Sequence, residues 1–223
     1  MTNLQLPSNL LAIMAHEDDE VGGCGGLLIK NQQLEGDSHV ICFGGSDPKR
    51  AKEFEAACKL MGVSSHQLLG YSEQDYDQNK LERIIQIRDI ILRIKPDYVL
   101  THRSAGDYHL NHQTVSEIVK RSAIMANTAK EWVRVKGILY TETHSLHSVV
   151  HELVDVSDVQ ESIEQALLCH ESQISKNDGY YLKLISKRNS LRGLQNGTHF
   201  AEAYQFEPLE LVGNFHKTIK WNN

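Results

Sequence analysis

The chain of 223 residues carries 29 acidic against 23 basic side chains, a formal net charge of −6, with 40% of its residues hydrophobic and 23% charged. That balance argues against a general nucleic-acid binder, and no uninterrupted apolar run reaches the length of a membrane span. The first residues, Met1 to Pro7, lack the basic start and long apolar core of a signal peptide, and Cys24, Cys42, Cys58 and Cys169, scattered without CxxC spacing, point to free thiols in a reducing, cytoplasmic setting.

Taken in order, Leu10–Met14 is a short apolar run that predicts a buried strand. The acidic cluster His16-Glu17-Asp18-Asp19-Glu20 and the glycines from Gly22 to Gly26 follow, and a helix is predicted over Leu27–Leu34, ending near Gly36. His39–Phe43 predicts a second strand, closed by the turn residues Gly44 to Pro48. A helix from about Lys49 to Met61 has Ser46 or Asp47 as its cap and Gly62 as its stop. Gln67–Tyr71 reads as a third strand, Ser72–Asp77 as a polar loop that could line a pocket, and Leu81–Ile94 as an amphipathic helix ending before Pro96. Asp97–His102 reads as a strand, the segment from His109 to about Ala129 as a helix, and Val133–Thr141 as one strand or two short ones. Beyond them, Ser157 or Asp158 is expected to cap a helix through Leu168, and Gly179–Leu194 to form the last long helix, with Tyr180, Leu184, Leu191 and Leu194 on its apolar face. Strand, loop and helix alternate along the chain, the pattern of a Rossmann-like α/β domain with a mostly parallel sheet and helices on both faces. No linker, repeat or low-complexity tract divides it, so residues 1–223 are read as one domain.

The acidic cluster falls where a strand gives way to a helix, the end of a parallel sheet at which ligands bind. One histidine with a run of carboxylates is either a solvated helix start favoured by the dipole or half of a metal site. The other half lies after the strand ending at His102: His109 and His112, three apart at the start of a helical pattern, would share a face. A histidine and a carboxylate from one strand end and a histidine from another compose a zinc-type site with a position open for water. Spacing does not decide between Asp18 and Asp19 as ligand. A competing reading makes Gly22–Gly26 the phosphate cradle of a nucleotide-binding module, but neither GxGxxG nor GxxxxGK[ST] is present and the carboxylates before it would repel phosphate.

Ala15-His16-x-Asp18-Asp19-Glu20, the pair Gly25-Gly26 and His109-x-x-His112 together resemble the N-acetylglucosaminyl-phosphatidylinositol de-N-acetylase family, also called PIG-L or LmbE-like. Arg50 through Ala56-Ala57 to Met61-Gly62 resembles the family's Arg-led second helix, and Arg192-Gly193 through Gly197 to Tyr204 its C-terminal segment. The resemblance implies an LmbE-like fold and a zinc-dependent hydrolase that removes the acetyl group from an N-acetylated amino sugar, with another divalent transition metal as the alternative to Zn²⁺. It implies His16, Asp19 and His112 as metal ligands, Asp18 as general base, His109 as the group that stabilises the oxyanion, and Arg50 and Asn111 towards the substrate.

Two positions depart from the family pattern: Glu17 stands where Pro is usual, and Asn111 where Asp is usual. The second removes a carboxylate of the kind that fixes a ligand histidine's tautomer, and it keeps a catalytically inactive sugar-binding relative as the alternative to an enzyme. His144, His147 and His151 crowd the segment after the last of these strands; surface or core placement is the commoner fate of such residues, with His144 the best placed to enter the pocket. Partners are expected to be small amino-sugar molecules, with no nucleic acid and no membrane span, and a homo-oligomer is compatible with the sequence.

Overall fold

A computed structural model describes residues 4–129 and 133–209. Seven strands form one sheet in the order β3-β2-β1-β4-β5-β7-β6, where β1 is Leu10–Met14, β2 Ser38–Cys42, β3 Ser65–Leu68, β4 Tyr98–His102, β5 Gly137–Thr141, β6 Glu152–Asp155 and β7 Ala201–Pro208. The first five pair in parallel; β7 runs antiparallel to both β5 and β6. Strand order reverses direction between β1 and β4, so the crevice beyond their carboxyl ends is the switch point where such sheets bind ligands.

Side chains alternate across β1 and divide the core in two. Leu10, Ala12 and Met14 pack under helices α1 (Asp19–Gln33), α2 (Pro48–Met61), α5 (Gln160–Leu168) and α7 (Tyr180–Asn196). Leu11, Ile13 and Ala15 pack under α3 (Lys80–Ile94) and α4 (Leu110–Asn127). A one-turn helix, α6 (Glu171–Ile174), lies between α5 and α7. Burial on both faces explains why β1 reads as a continuous apolar run without alternation. Helix α2 begins and ends where its caps dictate: Asp47 accepts hydrogen bonds from the backbone of Lys49 and Arg50, and Gly62 takes the left-handed conformation at φ 70°.

Several expectations are corrected. Helix α1 starts at Asp19, eight residues before Leu27, and takes in all four glycines. It bends at Cys24 (φ −152°), and the amides of Gly26 and Leu27 that the bend frees donate to the two carboxylate oxygens of buried Glu202 at 2.8 and 2.9 Å. The protein's own anion thus fills the place a phosphate would take, and a Cβ at Gly26 would lie 2.5 Å from Val156, so these glycines serve helix packing. Strand β3 ends at Leu68, three residues before Tyr71, and the strand after Val133 is a single one. Helix α5 begins later than a Ser157 or Asp158 cap would place it, with Val159 at its N-cap; Asp158 pairs instead with Lys30 at 2.7 Å. Strand β7 escaped the apolar pattern, and it forms because it can pair between β5 and β6.

Of the apolar face assigned to α7, Leu184 packs half-buried against the core, but Leu194 is 78% exposed, and Tyr180 and Leu191 are exposed as well. The helix instead buries Tyr181, Ile185, Arg188, Asn189 and Arg192. Arg188 donates to the carbonyls of Gly22, Glu142 and Thr143, and Arg192 pairs with buried Glu142, so a polar face carries the docking. No helix among the described residues is long and apolar enough to cross a membrane.

Candidate metal centre

Two loops meet at the switch point. Strand β1 delivers Ala15 to Asp19, and β4 with the start of α4 delivers His102 to His112. Three atoms converge there: His16 Nδ1 lies 3.1 Å from Asp19 Oδ2 and 3.2 Å from His112 Nε2, and the last two are 3.3 Å apart. A tetrahedral ion bound at about 2.0–2.1 Å sets its ligands about 3.3 Å from one another. All three residues are buried.

The hydrogen bonds around these atoms fix which lone pairs are free. Asp107 Oδ2 is 2.8 Å from His112 Nδ1, so that nitrogen donates to the carboxylate and Nε2 turns a lone pair towards Asp19. Two acceptors facing each other at 3.3 Å require a cation between them. With no metal bound a proton serves: burial opposes the charge, but Asp19 and Asp107 outweigh it and hold His112 up at about 10. Burial likewise works to raise Asp19, yet the charge on His112 keeps it well below the usual carboxylate range. The residues present fit a divalent cation.

Two other sets compete for the same place. His102, fully buried at the end of β4 and stacked on His112 at 3.8 Å, approaches Asp19 to 3.3 Å. Its Nε2, however, accepts the backbone N–H of Ala15 at 2.9 Å, so that lone pair is already used. Burial and the neighbouring His112 bring its pKa down to about 4, leaving a neutral ring. His109 also clusters with His16 and His112. It stands at the N-cap of α4 in extended backbone (φ −83°, ψ 114°), just outside the helix expected to carry it, with its ring stacked on His112 at 4.6 Å. Burial and the rings of His16 and His112 lower its pKa, and its buried Nδ1 has no partner.

Asp18 points from the same loop into a cavity of about 230 Å³ that His16, Asp19, Arg50, Glu73, His109 and His144 also line. Burial and the adjacent Asp19 raise its pKa to about 6 against the pull of Arg50. Arg50 reaches Asp18 Oδ1 and Glu17 Oε2, both at 3.2 Å, and Glu73 Oε1 at 3.5 Å, so much of its donor capacity is spent on carboxylates. Glu17 is buried and accepts the N–H of Gly45 at 2.7 Å, which ties the acidic loop to the turn after β2. Glu73 brings the Ser72–Asp77 loop to the cavity rim.

Asn111 sets its side-chain amide 3.4 Å from His16 Nε2, and the carboxylate paired with His112 comes from Asp107. His144 lines the cavity between His112 and Tyr181, whereas His147 donates to the carbonyl of Tyr140 and His151 accepts from Phe206 N–H. The sequence reading missed His102 and Asp107 as parts of the site. Asp107, two residues before a ligand-type histidine pair in a Gly-containing loop, was the one with a local signal.

A mostly parallel α/β sheet with a buried histidine–carboxylate cluster at its switch point defines a metal-dependent enzyme of Rossmann-like architecture. The chain belongs to the PIG-L family, the GlcNAc-PI de-N-acetylases, whose family model matches residues 11–123. It is 24% identical over 189 residues to the probable N-acetyl-alpha-D-glucosaminyl L-malate deacetylase 2 of Bacillus subtilis (strain 168), covering 75% of this chain and 84% of that protein. Among solved structures, the N,N'-diacetylchitobiose deacetylase of Pyrococcus horikoshii shares the fold with a TM-score of 0.74 at 20% identity, over 96% of this chain and 88% of that one. GalB, the 4-carboxy-2-hydroxymuconate hydratase of Pseudomonas putida KT2440, shares it with a TM-score of 0.75 at 18% identity, over 88% and 95%. Architecture alone therefore does not select the reaction.

Proposed function

We propose that the protein hydrolyses the acetamide of an N-acetylated amino sugar or its conjugate, using Zn²⁺ held by His16, Asp19 and His112. The observation that carries this reading is the convergence of His16 Nδ1, Asp19 Oδ2 and His112 Nε2 within 3.1–3.3 Å of one another, with Asp18 beside them in an open cavity. The deacetylases among the relatives support the substrate class.

When bound, the metal supplies Lewis-acid polarisation of the acetyl carbonyl and a lowered pKa for water. Asp18 takes a proton from the attacking water, whose oxygen bonds to the carbonyl carbon, and returns a proton to the nitrogen as the C–N bond breaks; acetate and a free amine leave. A pKa near 6 suits a group that must both accept and deliver that proton near neutrality. His109 donates an N–H to the developing oxyanion; loss of one such donor typically costs about 10²–10³ in rate. Arg50 holds Asp18 in place and turns its remaining N–H groups to sugar hydroxyls, and Asn111, beside His16 Nε2 at 3.4 Å, is assigned to the substrate as well.

The test is acetate release over a panel of N-acetylated sugar conjugates, with zinc-loaded and chelator-treated protein side by side. Release that requires the metal supports the reading. Absence of release from every member of the panel by metal-loaded protein overturns it and favours the inactive sugar binder.

A further inference from the structure

One wall of the catalytic cavity comes from a segment that the apolar core barely holds. Gln173 and Lys176 line the cavity with His16, Asp18, Asp19 and Arg50, and they lie on α6 and the turn that follows it. Helix α6 is a single turn in which no residue is fully buried. Cys169 and Ile174 pack only partly buried against the core. A helix this short has little stability of its own, so specific contacts fix its place.

Two buried carboxylates supply those contacts. Glu20 Oε1 lies 3.1 Å from His170 Nε2, and both side chains are wholly shielded from solvent. Glu20 Oε2 has no partner, so among the described residues His170 is the one side chain hydrogen-bonded to this carboxylate. Buried Glu53 accepts the Ser172 N–H at 2.9 Å and the Ser172 hydroxyl at 2.6 Å. The grip passes on into the cavity wall: Ser172 Oγ accepts from Gln173 Nε2 at 3.0 Å, and Gln173 Oε1 accepts from Lys176 at 2.9 Å. Both anchors sit on the elements that carry the chemistry, yet neither lines the cavity. Glu20 follows Asp18 and Asp19 at the start of α1, and Glu53 lies about one turn beyond Arg50 on α2. Carboxylates buried this deeply are costly unless their partners are in place, which commits each to the segment it holds.

We propose that residues 170–176 form a strap that sets the shape of the catalytic cavity around the substrate, with His170 and Ser172 as positioning residues that tie it to Glu20 and Glu53. Neither touches the reacting atoms. With one anchor lost, only part of the population has the strap seated, and the apparent affinity for substrate falls by that fraction. The metal ligands and Asp18 keep their own partners, so turnover of bound substrate is retained. The assignment rests on the deacetylase reading above and adds the residues that hold the cavity wall.

The experiment measures steady-state acetate release by zinc-loaded protein from whichever N-acetylated glycoside of the panel turns over best. Ser172→Ala and His170→Ala should raise KM several-fold, up to about tenfold, the scale of one hydrogen bond to a charged group. Their kcat and zinc affinity should stay near wild type. His170→Gln, which keeps an N–H for Glu20, should recover most of the loss. Hydrogen exchange gives a readout that needs no turnover: peptides covering 170–176 should exchange faster in both alanine variants, while those covering α4 should not. Where His170→Ala does not fold, Ser172→Ala carries the comparison. A KM unchanged in the alanine variants overturns the strap while deacetylation stands, even if their urea midpoints fall. A joint loss of kcat and zinc affinity also overturns it, because the two residues would then act on the metal centre. If wild type releases no acetate, the deacetylase reading falls and exchange alone decides: faster exchange confined to 170–176 retains the strap, and unchanged exchange removes it.

Discussion

Asp107 Oδ2 lies 2.8 Å from His112 Nδ1, and this pair decides which nitrogen of His112 faces the metal position. A carboxylate behind a ligand histidine typically matters 10–100-fold in metal affinity. Asp107→Asn is therefore expected to weaken metal binding by about that factor, measured by competition with a chromophoric chelator. Asn111→Ala should weaken it less, because Asn111 meets His16 only through a neutral amide at 3.4 Å. The reverse order would move the supporting role to Asn111.

The same pairing predicts how metal affinity depends on pH. In metal-free protein Asp19 and Asp107, against the cost of burial, hold His112 protonated up to about 10, so at neutral pH the incoming ion displaces that proton. Affinity should then rise with pH, by about tenfold per unit for one proton displaced. Adding zinc to weakly buffered protein at pH 7 should release at least one proton per ion, followed with a pH indicator. An affinity flat between pH 6 and 8 would contradict a protonated His112.

Asp18 and Asp19 are neighbours with different tasks in the proposed mechanism. Asp18→Asn should keep its metal and fold but lose about 10²–10⁴ in the rate of acetate release, since the amide cannot take up the proton. Asp19→Asn should hold metal more weakly at equal pH, because Asp19 Oδ2 is the oxygen that meets both His16 and His112. Metal analysis and acetate assays on the two variants check this; exchanged outcomes would exchange the roles.

Glu202 is expected to matter for stability far from the chemistry. Its carboxylate accepts from the amides of Gly26 and Leu27 and from Tyr204 Oη at 2.5 Å. Glu202→Leu leaves two buried amides without an acceptor and should lower unfolding free energy by about 2–4 kcal/mol. Glu202→Gln keeps one acceptor oxygen and should cost less. Urea denaturation of the two variants distinguishes them; equal stabilities would mean that water reaches the bend at Cys24.

Some features were legible in the sequence because their causes are local. Asp47 and Gly62 mark the ends of α2 through hydrogen bonds and backbone preferences spanning a few residues. The apolar run of β1 identifies a strand buried on both faces, and the clusters His16–Glu20 and His109–His112 announce metal chemistry by composition alone. Other features depend on partners distant in the chain. His16 and His112 are 96 residues apart, and only the parallel pairing of β1 with β4 brings their nitrogens to 3.2 Å. His102 looks like any strand residue until Ala15 N–H takes its lone pair, and Asp107 like a loop acid until it meets His112. For α7, hydrophobic periodicity selected a mostly exposed side, because the helix docks through Arg188 and Arg192 onto carbonyls and a carboxylate that folding itself assembles. A polar face can be buried only where its partners are already in place, and a linear pattern of apolar residues carries no record of those partners.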